Sequence, residues 1–253
     1  MIDKNRLYLS TIDPAAGDAA RQYGLGIEIA EFCTAWNLDR ELPATRRLLE
    51  STLAQVGNRI VHGPFNELFP CAIDPKAREL AAFRYSQAIT IAREYGAKKV
   101  VLHGGFNPWL YYPQWYEEQS ILFWREFMDC VPRDMIVCVE NVLEPEPQML
   151  LSIVREVENP GLRLCLDVGH VNAYSRVPAD AWLEACGDYL SHLHIHNNDG
   201  TADTHSALYT GTLPVKRLLE KAMENPDITA TLELPECLPS VRWLLEEETW
   251  KEN

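Results

Sequence analysis

The chain reads as one (β/α)8 barrel spanning residues 1–253, and three observations predict it. Eight strand-like runs alternate with helix-like runs. The length of 253 residues suits a barrel of ~250 and is enough to bury a large core. Several apolar runs end in an acidic or histidine residue, which is where a barrel carries its chemistry. A doubly wound open sheet is the structural alternative. No GxGxxG follows the first strand, which argues against its nucleotide-binding version.

The strands are expected at 6–10, 25–30, 59–64, 98–103, 135–140, 162–167, 189–196 and 228–234. Most are rich in Val, Ile and Leu with little polar alternation, as strands buried on both faces should be. After the first strand, Asp13-Pro14 predicts a helix start, an N-cap followed by Pro at the first helical position. Gly24 falls where the first helix needs a left-handed cap. RELPATRRLLESTLAQV (40–56) is an amphipathic helix between strands two and three. Asp74-Pro75 opens the next, which includes AAFRYSQAITIAREYG (81–96) and closes at Gly96. Residues 105–117, GFNPWLYYPQWYE, form the longest irregular stretch and belong to a loop on the catalytic face. The remaining strands follow at helix-length intervals, with no linker, low-complexity segment or second domain.

The formal charge of -14 and pI near 4.9 count against nucleic acid as the main partner, because an acidic chain repels phosphate backbones at long range. The seven cysteines (Cys33, Cys71, Cys130, Cys138, Cys165, Cys186 and Cys237) include no CxxC. Cys138 and Cys165 lie inside apolar strands and are expected as buried reduced thiols. The N-terminus MIDKNRLYLS lacks the apolar run of a signal peptide, and no apolar stretch approaches ~18 residues. A cytoplasmic protein with no membrane span is expected.

Four strand ends carry the strongest chemical signal. Glu140 ends strand five, Asp167 strand six, His196 strand seven and Glu233 strand eight. Three carboxylates and one imidazole converging on one point can hold a divalent ion, with Mn, Co, Mg and Zn all compatible by ligand type. For any one residue alone, the plain alternative is a polar group satisfied at a strand end. Four in phase at one end are harder to explain so. Buried carboxylates need a partner charge, and a metal supplies it.

His62 and His103 end strands three and four, His170 follows Asp167, and Asp203 and His205 sit in the loop after strand seven. These five are candidates for further metal ligands or for substrate contacts. His192 and His194 share the inward phase of His196 but lie deeper. Phe65, His170, His194, Trp109 and Tyr112 are the candidate substrate contacts. The rings of Trp109, Tyr111, Tyr112, Trp115 and Tyr116 suit a flat sugar, the alternative being packing on the barrel rim or a dimer partner. TGTLP (210–214), with Lys216 and Arg217, is either a phosphate-binding helix start or an ordinary loop with a solvated basic pair.

In this order and spacing, GIEIAEF, VHGPF, VVLHGG, VCVENV, LCLDVGHVN, HIHNNDG, DTHSALYTGTL and TLEL resemble the xylose isomerase-like TIM-barrel superfamily over essentially the whole chain. That superfamily groups sugar isomerases and epimerases with endonuclease IV. Resemblance to the epimerase branch implies metal ligands at Glu140, Asp167, His196 and Glu233, with the two glutamates as an acid/base pair. Resemblance to endonuclease IV implies three zinc ions held by His62, His103, Glu140, Asp167, His170, His196, Asp203, His205 and Glu233. All nine are of the required type. The arginine usual in the epimerases soon after the strand-seven histidine is absent from HNNDGTADTH, and so are the long basic loops of DNA-binding members.

The resulting expectation is a metal-dependent isomerase or epimerase of a small sugar or sugar-derived polyol, a carbonyl-adjacent dehydratase being a close variant. The alternative is a Zn-dependent phosphoesterase with two or three Zn ions, and a third reading is a non-catalytic binding module. The expected partner is a small carbohydrate, not nucleic acid or membrane; a homo-oligomer is compatible with the sequence.

Overall fold

A computed structural model describes residues 2–246. Eight parallel strands close into a barrel in sequence order. They are β1 (Leu7–Ser10), β2 (Gly26–Ile29), β3 (Arg59–His62), β4 (Lys99–His103), β5 (Ile136–Glu140), β6 (Leu162–Asp167), β7 (Leu190–Ile195) and β8 (Thr229–Leu232). Each falls within its expected range, trimmed by up to three residues. The helices are α1 (Ala16–Tyr23), α2 (Ala35–Asp39), α3 (Leu42–Thr52), α4 (Pro75–Glu94), α5 (Pro113–Met128), α6 (Gln148–Val157), α7 (Val168–Tyr174), α8 (Ala179–Cys186), α9 (Val215–Ala222) and α10 (Leu238–Leu245).

The apolar strand residues divide between two cores. Those facing outward, such as Leu9, Ile27, Val100 and Ile195, pack under the helices with Tyr85, Trp124 and Trp182 in one continuous cluster. Tyr8, Ile60, Val101, Cys138 and Cys165 fill the barrel itself. Cys138 and Cys165 are buried free thiols, and all seven cysteines are unbridged. Among the described residues, no helix is long and apolar enough to cross a membrane.

β7 contains an irregularity that bears on the site. Leu164 pairs with Leu190, but the next residue, Cys165, pairs with His192. The extra residue, Ser191, turns His192 and His194 inward while Leu190 stays on the helix side. The Ser191 carbonyl accepts a hydrogen bond from the Lys99 ammonium at 2.6 Å, deep in the barrel.

The punctuation residues behave as expected with one exception. Asp74 caps α4 through Lys76 N at 2.8 Å, with Pro75 first in the helix. Gly24 and Gly96 adopt left-handed backbone (φ 72° and 69°) at helix ends. Asp13-Pro14, however, does not open α1. That helix starts at Ala16 behind Ala15, and Asp13 sits two residues earlier in a turn. Its carboxylate accepts from Ala15 N through Oδ1 and from Cys237 N, beyond the neighbouring strand β8, through Oδ2, both at 2.8 Å. The side chain thus ties the approach to α1 to the β8–α10 connection. The irregular segment after β4 is also shorter than expected, because α5 begins at Pro113 and takes in Trp115 and Tyr116.

Helix α1 packs closely on α3. A Cβ on Gly17 would lie 2.6 Å from the backbone oxygen of Thr52, which cannot swing aside as a side chain can. Gly17→Ala is expected to destabilise the fold by about 1–3 kcal/mol, the usual cost of overpacking, read as a lower denaturant midpoint.

Candidate metal centre and active site

The site lies at the C-terminal mouth of the barrel. His62, His103, Glu140 and Asp167 are the last residues of β3, β4, β5 and β6. His196 and Glu233 lie one residue beyond β7 and β8, still in the inward phase. Asp167 also caps α7, accepting from His170 N at 2.7 Å, so the cap that starts the helix places His170 at the mouth.

Asp203 and His205 arrive on the connection between β7 and α9. An isolated antiparallel bridge between Asn197 and Ser206 folds this loop back on itself. The Asn197 side chain donates to Leu208 O and Leu213 O, and Asn198 donates to Gly169 O. His205 adopts left-handed backbone (φ 46°), unusual for a residue with a side chain. Its Nδ1 is 2.8 Å from Glu233 O, a bond that holds the ring over the site.

All nine residues therefore surround one cavity mouth, in overlapping groups. Ligand atoms of Glu140, Asp167, His194 and Glu233 lie within 4.8 Å of one another. So do those of His62, His103 and Glu140, and those of His170, His196, Asp203 and His205. Glu140 Oε2 is 3.3 Å from Nε2 of both His62 and His103. Asp203 Oδ2 is 3.2 Å from His170 Nε2 and 3.3 Å from His205 Nε2. His196 Nε2 stands 3.1 Å from Asp167 Oδ1 and 3.4 Å from Asp203 Oδ1, joining two of the groups.

The hydrogen bonding behind these rings bears on whether a cation belongs here. Nδ1 of His62, His170 and His205 each lies 2.8–2.9 Å from a backbone carbonyl, of Gly63, Asn141 and Glu233 respectively. Only an N–H can face a carbonyl, so each ring keeps Nε2 for the site. In the neutral imidazole that nitrogen carries a lone pair, and here it faces carboxylate oxygen. Lone pairs opposed at such distances repel unless positive charge lies between them. Histidines oriented in this way are typical of metal ligands. Glu140 Oε2, Asp167 Oδ2, Asp203 Oδ1 and both ring nitrogens of His196 are buried without a hydrogen-bond partner. The donor set fits a divalent ion, and its imidazole content suits Zn, Co or Mn better than Mg.

Electrostatics keep Glu140 and Asp167 ionised. Burial pushes Glu140 up, but His194 and His103 outweigh it and hold the group well below the ordinary carboxylate range. Asp167 is brought down to about 2, His170 and His196 overcoming its burial. Burial disfavours the His205 cation, yet Asp203 and Glu233 raise this imidazole to about 9.

A cavity of about 520 Å3 opens above these groups. Ile12, Ala30, Phe65, Val142 and Pro235 supply apolar wall, and His62, His103, His170, His205, Glu140, Asp203 and Glu233 supply the polar side. No Lys or Arg is among its lining residues. Phe65 stacks on His103 with ring centroids 4.3 Å apart.

Some candidate residues lie elsewhere. Trp109 and Tyr112, expected at the substrate, are 81% and 84% exposed and do not line this cavity. The Asn107 carbonyl accepts from Leu110 N and Tyr111 N, turning the chain there, and the other rings of the loop pack at the rim. Trp115 bonds Cys71 O, and buried Tyr116 bonds Glu144. His194 lies beneath the cavity, fully buried between Glu28 and Glu140. Arg217 is engaged by Asp180 through two bonds of 2.7 and 2.6 Å.

Sequence reasoning missed Glu28. It lies one residue before the end of β2, is fully buried, and faces inward. Its position in GIEIAEF, an acid in an otherwise apolar run, was the available signal.

Residues 18–252 match the family model described as xylose isomerase-like TIM barrel. An uncharacterised protein of Methanocaldococcus jannaschii is 29% identical over 176 residues, covering 65% of this chain and 60% of its own length. A second from that organism is 26% identical over 143 residues, covering 53% and 51%. The chain thus spans between half and two thirds of these relatives. Among solved structures, a D-tagatose 3-epimerase-like protein superposes with a TM-score of 0.78 at 22% identity, covering 96% of both chains. A Thermus thermophilus protein studied after soaking with zinc chloride gives 0.72 at 25% identity, covering 98% of this chain and 100% of that one. D-allulose 3-epimerase from Methylomonas sp., in complex with D-allulose, gives 0.66 at 18%, covering 91% and 83%. The similarities below 25% identity establish the fold, and the family match establishes membership: the chain belongs to the xylose isomerase-like TIM-barrel family.

Proposed function

We propose that the protein is a metal-dependent isomerase or epimerase of a small, uncharged sugar or sugar-derived polyol. The observation that carries this reading is the pairing of Glu140 and Glu233. They come from non-adjacent strands, face one small cavity, and have carboxylate oxygens within 4.8 Å of Asp167 and of each other. Glu140, Asp167, His196 and Glu233 would hold a divalent ion. When bound, it supplies positive charge beside neighbouring substrate oxygens and stabilises an enediolate as charge develops.

The chain's own residues do the rest. One glutamate takes the proton from the carbon next to the carbonyl, and the other returns a proton to it. His170 hydrogen-bonds a substrate hydroxyl. Phe65 and Val142 cover the apolar face of the substrate and exclude water. The lack of Lys or Arg in the lining favours a neutral sugar over a sugar phosphate.

A second reading has a specific observation behind it. His62 with His103 at Glu140, and His170 with His205 at Asp203, are two further donor groups beside the carboxylate cluster. They suit two or three Zn ions and hydrolysis of a small phosphoester, in which the protein would orient water for attack at phosphorus.

Metal content of untagged protein purified without chelator distinguishes the readings. About one ion per chain, with sugar turnover reduced on the order of 10²–10⁴-fold in Glu140→Gln and in Glu233→Gln separately, supports the isomerase. Full turnover in either variant would sink the acid/base assignment. Two or three Zn per chain, at least one of them lost in His205→Ala, with cleavage of a small phosphodiester, establishes the hydrolase instead.

The close approach of α7 to His196 provides a separate test of the ligand set. A Cβ on Gly169 would lie 1.9 Å from Cε1 of His196, so Gly169→Ala must displace the ring. The variant is expected to keep its far-ultraviolet circular dichroism and bind metal about tenfold or more weakly. Unchanged affinity would remove His196 from the ligand set.

A further inference from the structure

Beneath the mouth, a line of hydrogen bonds crosses the barrel interior. At its base the Lys99 ammonium donates to Thr229 Oγ1 at 2.8 Å. Thr229 Oγ1 is 2.6 Å from His192 Nδ1, and His192 Nε2 is 3.0 Å from Glu28 Oε2. Thr231 donates its hydroxyl to the same Glu28 oxygen. The other oxygen, Oε1, is 2.9 Å from His194 Nε2. His194 Nδ1 in turn lies 3.1 Å from Glu140 Oε1.

We propose that Glu28, which does not line the cavity and whose two oxygens are both engaged by hydrogen bonds although one lies within 4.8 Å of ligand atoms of His62, His194 and Glu233, is the positioning residue of the metal centre: it holds the His194 ring so that Nδ1 engages Oε1 of Glu140 and leaves Oε2 of Glu140 to serve as a ligand. This rests on the reading of Glu140 as a metal ligand.

Three observations carry it. Glu28, His192, His194 and Thr231 are all fully buried, so no water competes for these bonds. Glu140 Oε1 is engaged by His194, whereas Oε2 is buried without a hydrogen-bond partner. Finally, one atom reaches three of the carboxylates: His194 Nδ1 is also 3.6 Å from Glu233 Oε2 and 4.0 Å from Asp167 Oδ2. A tilt of this ring would be felt by Glu140, Asp167 and Glu233. Glu28 is suited to prevent the tilt because Thr231 and His192 fix its other oxygen, Oε2. A glutamine there keeps the shape but has one acceptor oxygen where the carboxylate has two, so it cannot serve His194, His192 and Thr231 as the carboxylate does.

The test is zinc affinity of the full chain, measured by competition with a chromogenic chelator. Glu28→Gln is expected to weaken zinc 10–100-fold, the usual cost of removing a group that orients a ligand. Glu144→Gln provides the comparison. Glu144 is also a buried carboxylate, accepting from Tyr116 Oη at 2.9 Å and Val142 N at 2.7 Å, but it lies outside the ligand groups. It is expected to lower the melting temperature and leave zinc affinity unchanged. Wild-type affinity in Glu28→Gln, with binding lost in Glu140→Gln, overturns the positioning role and leaves the ligand reading standing. Wild-type affinity in Glu140→Gln overturns both. If Glu28→Gln does not fold, Thr231→Val loosens Glu28 by removing one hydroxyl. It is then expected to weaken zinc at least threefold, and no change overturns the proposal.

Discussion

The mouth of this barrel gathers Glu140, Asp167, Asp203 and Glu233 where little water reaches, and their mutual repulsion has to be offset by positive charge. Much of the local structure can be read as the answer to that constraint. All seven histidines of the chain lie at the mouth or directly beneath it. No Lys or Arg lines the cavity, so the imidazoles take up the task, and a cation held by these groups would share it. Without them the ionised carboxylates would face the desolvation cost of buried unpaired charge.

The backbone takes part in that arrangement. His62, His170 and His205 each direct one ring nitrogen to a carbonyl and keep the other for the site. The carbonyls belong to the segments just beyond β3, β5 and β8, so the barrel closure that brings the strands together also sets the ring orientations. Asp167 combines two tasks, starting α7 as its cap and facing the site as a carboxylate. The absence of a side chain at Gly169, in the same turn, makes room for His196. The polar line from Lys99 through Glu28 to Glu140 gives the floor of the site a rigid support that an apolar interior could not provide.

The same features limit the chemistry. A cavity of about 520 Å3 with one apolar wall and one acidic, histidine-rich wall suits a small ligand that presents oxygens on one side. The exposed rings of Trp109 and Tyr112 lie away from it, so its apolar wall comes from Phe65, Val142 and the residues near β1 and β8. The fold is shared by too many activities to choose among them. The number of ions bound, which depends on whether the Asp203 and His62–His103 groups are filled, is the property that separates isomerisation from hydrolysis.

The barrel and most of its mouth were legible in the sequence. Buried parallel strands are continuous apolar runs, and a polar residue that ends such a run has one place to go. That is why Glu140, Asp167, His62 and His103 could be located before any coordinates. Inward phase on β7 also linked His192, His194 and His196, since side chains alternate along a strand. The sequence did not determine that Asp13 would share its carboxylate with Cys237, or that the aromatic loop would turn Trp109 and Tyr112 outward. The turn is local to Asn107, whereas the Asp13 bond depends on a partner far away in the chain. Glu28 was hidden for the same reason: an acid within a strand has no local meaning until β7 and β8 bring His192, His194 and Thr231 to it. Periodicity reports which face a residue occupies, whereas the partner across the barrel is decided only by closure of the sheet.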